Sequence, residues 1–216
     1  MGGQDGSRGY LYQSIISVLS ACTINDWSHI SVEPKTENDK VDISFYEEER
    51  IIKAIQVKSS INSFSKAMII EWMRDIMNDI ESEEYEIVLI GNCSASVNTF
   101  IKNVNNFKEH VVISNAQKGI MTITNGKKFK IDMIHFNQEY LMSIIRDNMS
   151  KWIYKKGYIL EPDLIDQLSH ASVTLHTLWG TEGKKISKDI YEKKILNWVK
   201  SSMGNKIKSC TAKADI

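Results

Sequence analysis

Between residues 29 and 58 three short runs alternate apolar and polar side chains, and from residue 65 the apolar spacing lengthens to that of a helix. This change of period constrains the chain most, because a two-residue period needs a sheet and a 3.6-residue period needs a helix to cover it. HISVE (29–33) sets Ile30 and Val32 on one face. KVDISFY (40–46) places Val41, Ile43 and Phe45 inward, and IIKAIQVK (51–58) forms the third run. The charged segment Glu47–Arg50 reads as a hairpin turn, so an antiparallel meander is the simplest connection. Over 65–81, Ile69, Trp72, Met73, Ile76, Met77 and Ile80 make a wide apolar stripe, with Ser65 as N-cap.

The rest of the chain extends this α/β pattern. A helix is predicted over 10–24, with Tyr12, Ile15, Ile16, Leu19 and Cys22 on its buried side. YEIVLIG (85–91) reads as a buried strand, 95–104 as a helix, and HVVI (110–113) as another strand. Residues 121–136 suggest a hairpin around Gly126. Helices follow over 138–154 and 163–179, with Pro162 suited to a first turn. GTEGKK (180–185) is a break before a last helix over 187–203, capped by Ser187 and burying Ile190, Ile195, Trp198 and Val199. The expectation is a mixed sheet flanked by helices over 1–140, then a small helical appendage over 141–216.

Composition excludes several classes. Twenty-seven basic residues balance twenty-seven acidic ones, so any nucleic-acid contact must come from a local patch. Three cysteines without CxxC or Cys/His spacing argue against a disulfide framework or structural zinc. The N-terminus has no apolar signal region and no apolar run approaches a membrane span, so a reducing, cytoplasmic setting is expected.

The chemistry concentrates in residues 32–60. Gln56 and Lys58 are two apart on one strand and share a face otherwise occupied by Ile52 and Ala54. Asp42 is placed to lie beside them on the neighbouring strand. Asp42 offers a hard carboxylate oxygen, Gln56 an amide oxygen, and the Val57 carbonyl lies between; Mg²⁺ takes such oxygens together with water. Lys58 would orient a nucleophile and stabilise developing negative charge. Glu33 would add a second carboxylate, offsetting the charge lost by having Gln at position 56. Plainer roles exist for the same residues: Asp42 in a turn, and Lys58 snorkelling from an edge strand.

Taken in order, these residues resemble the PD-(D/E)XK nuclease superfamily, in the form found as the N-terminal effector domain of bacterial antiphage proteins. Those proteins are activated by cyclic oligonucleotides or linked to STAND ATPases. The matching motifs are Gly9, Tyr12 and Gln13 in RGYLYQ, Asp42 in VDISF, Gln56 and Lys58 in IQVKSS with Gln replacing the usual Glu, and the small polar segment closing VLIGNCS. Family members often carry paired acids before the catalytic strand; here the segment reads Asn38-Asp39 and a lone Asp42. The resemblance implies a restriction-endonuclease-like fold and Mg²⁺-dependent (or Mn²⁺-dependent) cleavage of double-stranded DNA with little sequence preference. It gives Asp42, Gln56 and Lys58 the active-site role and Gln13 and Glu33 an auxiliary one. It further implies a sensor or ATPase module in cis or in trans. Because one site cuts one strand, the apolar helical stripes lead to the expectation of a homo-oligomer as the active form. A different expectation is a catalytically silent DNA-binding or scaffold module of the same fold.

Other polar residues carry less. His170 and His176 are six apart and off-face on a helix, and no histidine pair has a metal spacing. Ser94 and Ser96 lack a nucleophile elbow. Lys127, Lys128 and Lys130 form a cluster at the expected hairpin tip, and nine lysines crowd residues 184–213; both are candidate contacts to the DNA backbone.

Overall fold

A computed structural model describes residues 3–107, 115–135 and 137–211, with side chains over 8–107, 118–135 and 137–203. The elements are α1 (Gly3–Thr23), β1 (His29–Val32), β2 (Ile43–Glu47), β3 (Arg50–Ser59), α2 (Lys66–Asp79), β4 (Glu84–Ile90), α3 (Ala95–Asn105), α4 (Asn115–Thr124), β5 (Lys128–Ile134), α5 (Gln138–Lys155), α6 (Pro162–Glu182), β6 (Lys185–Ser187) and α7 (Lys188–Thr211). The strands form one mixed sheet in the order β5-β4-β3-β2-β1-β6. The meander β1-β2-β3 is antiparallel, as the alternating runs require, and β3, β4 and β5 are parallel. Parallel neighbours need crossovers, and α2 and the α3–α4 pair supply them.

Both faces of the sheet are covered. On one, Ile43, Phe45, Ile55, Val57, Val88 and Ile90 pack against α1, α5, α6 and α7. On the other, Ala54, Ile87, Leu89 and Ile131 pack against α2, α3 and α4. Val41, Ile43 and Phe45 are all buried, but Val41 lies in the second core and the other two in the first, so the run does not have one inward side. Helix α1 is enclosed between sheet and helices, and buries Ser14, Ser17, Val18 and Ala21 beside its predicted stripe.

The two-part division near residue 140 does not separate two cores. Leu141, Ile145, Trp152, Trp179, Tyr191 and Ile195 share one cluster with Tyr12, Ile15 and Ile55. β6, absent from the sequence reading, pairs with β1 and extends the sheet. Two further expectations change. The hairpin around Gly126 is instead the end of α4, a turn with Asn125 and Gly126 at φ 51° and 74°, and a lone strand β5 parallel to β4. Ile190 is exposed because Tyr191 takes the inward position, followed by Ile195 and Val199 at helical spacing. The strand expected at 110–113 lies outside the described residues.

Local signals explain most boundaries. Ser65 and Ser94 accept from Met68 N and Val97 N, capping α2 and α3. Pro162 opens α6, and Gly183 closes it in the left-handed conformation. Gly91 follows β4 where a Cβ would meet the Ser60 carbonyl oxygen at 2.5 Å and Phe64 Cε2 at 2.9 Å, so only glycine fits between the ends of β3 and β4.

Candidate functional site

Strand β3 outruns its partner β2. Their register ends at Ile43↔Ile55, while β3 continues to Ser59 against β4. Asp42 stands at this fork, immediately before β2. Its main chain is laddered on both sides: its N–H donates to Ile55 O at 3.0 Å, and its carbonyl accepts from Glu33 N at 2.8 Å. Its carboxylate then takes up what the fork exposes. Val57 N donates to Asp42 Oδ2 at 2.6 Å, and Gln13 Nε2 of α1 donates to Oδ1 at 2.7 Å. In a strand a residue's N–H and C=O lie on the same edge, so the Val57 carbonyl faces the fork too.

Gln56 follows Ile55 on β3, on the strand face that Ala54 and Lys58 share. Gln56 is 1% exposed, yet its Oε1 has no hydrogen-bond partner. The same holds for Oε1 of Gln13 and Oε1 of Glu33. Buried acceptors without donors are costly unless something else satisfies them. Glu33 follows β1 with φ 50°, a left-handed conformation that a side chain with a Cβ adopts at a cost. Lys58, on the same strand face as Gln56, holds its ammonium 5.7 Å from the centre of the Trp72 ring of α2.

The electrostatics follow from burial. Desolvation raises the Asp42 carboxyl to about 6, against the lowering effects of Val57 N–H, the Lys58 charge and the Gln13 amide. Glu33 is raised to about 7, by desolvation first and then by Asp42 and Asp39, while Gln13 and Lys58 oppose the shift. Gln13, Glu33, Asp42, Val57 and Lys58 are therefore electrostatically or hydrogen-bond linked. A cavity of about 450 Å³ opens beside Gln13 and Glu33, walled on its far side by Thr177, Gly180 and Thr181 of α6. Gly180 belongs there by size, since a Cβ would stand 3.2 Å from Val32 Cγ1. Nothing in the local sequence marks α6 as part of this wall; a sheet-pairing and packing decision brings it across.

Among the described residues no group of three or more His, Cys, Asp or Glu side chains is arranged to hold a metal ion. A divalent cation at the fork would rely on Asp42 and Glu33 together with neutral oxygens of Gln56, Gln13 and Val57. The donor set fits a hard cation, because Mg²⁺ takes one or two carboxylates and completes its shell with neutral oxygens and water. The unpartnered Oε1 atoms are the acceptors such an ion would satisfy.

The lysine cluster is not the free cationic patch expected. Lys127 pairs with Glu81, Lys128 with Glu84, and Lys130 with Asp132 at 2.6 Å and Glu86 at 3.2 Å. Lys53 joins the same ladder through Glu84 at 2.8 Å and Glu86 at 2.6 Å. Lys128 aligns with Glu84 and Lys53, at the opposite end of β3 from Lys58. Of the later lysines, Lys184 pairs with Glu182 at 2.8 Å and Lys185 with Glu49 at 3.3 Å, while Lys206, Lys208 and Lys213 lie outside the described side chains. His176 is fully buried in the core, with Nδ1 2.6 Å from Ser17 Oγ, and its pKa is pushed down to about 3 by desolvation.

No protein-family model matches the sequence, and no curated protein does. Solved structures do match in fold. The Cap4 SAVED/CARF-domain containing receptor of Acinetobacter baumannii, with the cyclic trinucleotide 3'3'3'-cAAA, superposes with a TM-score of 0.61 and 16% identity over 91% of this chain and 46% of that one. The same receptor described without that ligand gives 0.60 and 16%, over 91% and 48%. The Moraxella osloensis Cap4 SAVED/CARF-domain containing receptor gives 0.59 and 13%, over 90% and 48%. The chain thus spans less than half the length of these receptors. At such identities the likeness is one of fold. Among the described residues no helix is long and apolar enough to cross a membrane.

Proposed function

We propose that this chain is a Mg²⁺-dependent DNA endonuclease, acting as the cutting module of a cytoplasmic antiviral defence system. The observation that carries the reading is the fork itself: a buried carboxylate, Asp42, bonded by Gln13 and Val57, with Glu33 and the Lys58 charge within electrostatic reach and Oε1 of both Gln13 and Glu33 unpartnered. Asp42, Gln56 and the Val57 carbonyl would hold the cation, with Glu33 as second carboxylate; Mn²⁺ suits the same donors. When bound, the ion neutralises the phosphate and lowers the pKa of an attacking water. Gln13 orients Asp42 through its amide. Lys58, braced by Trp72, meets the developing negative charge on the phosphate oxygens. Burial of Asp42 and Gln56 keeps bulk water from competing for those contacts.

The defence role rests on the fold likeness to the Cap4 receptors. Two of those structures hold cyclic trinucleotides, and this chain covers 46% of each. On this reading a sensor or ATPase module, in cis or in trans, recognises the signal, and assembly brings two cutting sites onto opposed strands of a duplex. Activity should then be weak in dilute solution and rise steeply with concentration or enforced oligomerisation.

The test is plasmid degradation by the purified chain in Mg²⁺ against an EDTA control, with Asp42→Ala alongside. Mg²⁺-dependent nicking lost in a folded Asp42→Ala protein is expected. A folded wild-type chain that binds duplex but never cuts, at any concentration, would make it a silent scaffold of the same fold. Tight binding of 3'3'3'-cAAA by this chain alone would instead assign it to ligand sensing.

A further inference from the structure

Asp79 is the last residue of α2, where the carbonyl end of the helix disfavours a negative charge. It is nevertheless 8% exposed and ordered by three short hydrogen bonds from one segment. Thr36 Oγ1 donates to Oδ2 at 2.6 Å, Asn38 N to Oδ1 at 2.6 Å, and Lys40 N to Oδ2 at 2.7 Å. That segment is the β1–β2 connection. Its two ends are Glu33 and Asp42, and its course includes the left-handed residues Glu33 and Asp39, at φ 50° and 52°. A loop with two such residues needs outside contacts to hold one conformation.

We propose that Asp79 is a positioning residue: its carboxylate fixes the 34–41 loop and thereby sets the placement of Glu33 relative to Asp42 at the mouth of the fork. The proposal rests on the cation-site reading above. Helix α2 then steadies the site from both ends, by Asp79 under the loop and by Trp72 against Lys58. The carboxylate of Asp79 is bonded by Thr36, Asn38 and Lys40 rather than by Asp42 or Glu33, and it acts through those three donors. A charged carboxylate serves this better than an amide, since three donors converge on its two oxygens and each bond is charge-assisted.

The experiment uses the full chain with Mn²⁺ as the probe. Affinity is measured calorimetrically for wild type, Asp79→Ala and the milder Thr36→Val, and amide hydrogen exchange over 34–41 is followed in the metal-free proteins. In Asp79→Ala, faster exchange at Asn38 and Lys40 together with at least a tenfold weaker Mn²⁺ affinity is expected. Thr36→Val, which removes one donor of three, should weaken binding less and keep the fold if the larger change does not. Faster exchange with unchanged Mn²⁺ affinity in both variants would overturn the positioning role and leave Asp79 structural. If wild type binds no Mn²⁺ while its loop amides are protected, the cation-site reading fails, and the positioning proposal with it.

Discussion

The Gln13 side chain donates to Asp42 Oδ1 at 2.7 Å while its own Oε1 stays buried without a partner. One amide thus both fixes the carboxylate and leaves a buried acceptor unpartnered. On the cation-site reading Gln13 orients a ligand group, and loss of such outer partners costs ~10–100-fold in metal affinity or activity. Gln13→Ala should therefore slow Mg²⁺-dependent plasmid nicking by about that factor with an unchanged circular dichroism spectrum. Nicking at the wild-type rate by a folded Gln13→Ala protein would remove the residue from the site.

Metal-free stability gives a second handle on Asp42. Its carboxyl is raised to about 6 from 3.8, chiefly by desolvation, so the ionised form is disfavoured in the fold. The sign is the reverse of a salt-bridged acid: the penalty is absent below the unfolded pKa, grows as pH rises, and is complete above about 6. Asp42→Asn keeps an acceptor for Val57 N–H, and Gln13 can turn its Oε1 toward the new amide. In EDTA at pH 8 the variant should be more stable than wild type by up to ~3 kcal/mol, with the gap closing near pH 4. Urea melts at the two pH values check this, and a gap of equal size at both would contradict it.

Cation binding must compete with protons on the same oxygens. Asp42 titrates at about 6 and Glu33 at about 7, each raised first by burial. At limiting Mg²⁺ the nicking rate should rise from pH 5.5 to pH 7.5, and saturating Mg²⁺ should shift the rise to lower pH. The comparison is two pH–rate profiles on one plasmid substrate. Superimposable profiles would show that these carboxyls do not hold the ion.

The tight junction at Gly91 predicts a structural defect. A Cβ there would meet the Ser60 carbonyl at 2.5 Å, and φ is +155°. Gly91→Ala should destabilise by about 2–4 kcal/mol and loosen the end of β3 that carries Lys58. Thermal melts measure the first effect. A melting temperature within a degree of wild type would mean that the β3 and β4 ends part freely.

DNA affinity should follow the backbone and not the bases. Arginine, the usual guanine reader, occurs only as Arg8, Arg50, Arg74 and Arg146. Binding by a cleavage-dead Lys58→Ala chain should fall steeply with salt and differ little among unrelated duplexes. Replacing Lys127, Lys128 and Lys130 with glutamine should leave that affinity nearly unchanged, since acids already neutralise them. Fluorescence anisotropy across a salt series measures both, and a preference for one duplex that survives high salt would reveal base readout.

What the sequence determined by itself is local. The two-residue period gave the meander and the turn at Glu47–Arg50, the helical period gave α2, and Ser65 and Pro162 marked where helices begin. Gln56 and Lys58 stood out as polar residues on a strand face otherwise set by Ile52 and Ala54, and Asp42 by its place on the neighbouring strand. Tertiary structure decided everything that joins distant segments. β6 is three residues long and carries no period, so only pairing with β1 defines it. The strand at 128–134 was read as half of a hairpin because MTIT suits a strand as well as the last turn of a helix; packing of Ile120 into the α2–α3 face settles the choice. Lys127, Lys128 and Lys130 look free in one dimension because all but one of their acidic partners lie some forty residues earlier in the chain, on β4 and just before it. Asp79 and Gly180 had no local signature as site residues either. Their roles depend on which loop and which strand end lie against them, and that is fixed by how helices close over both faces of the sheet.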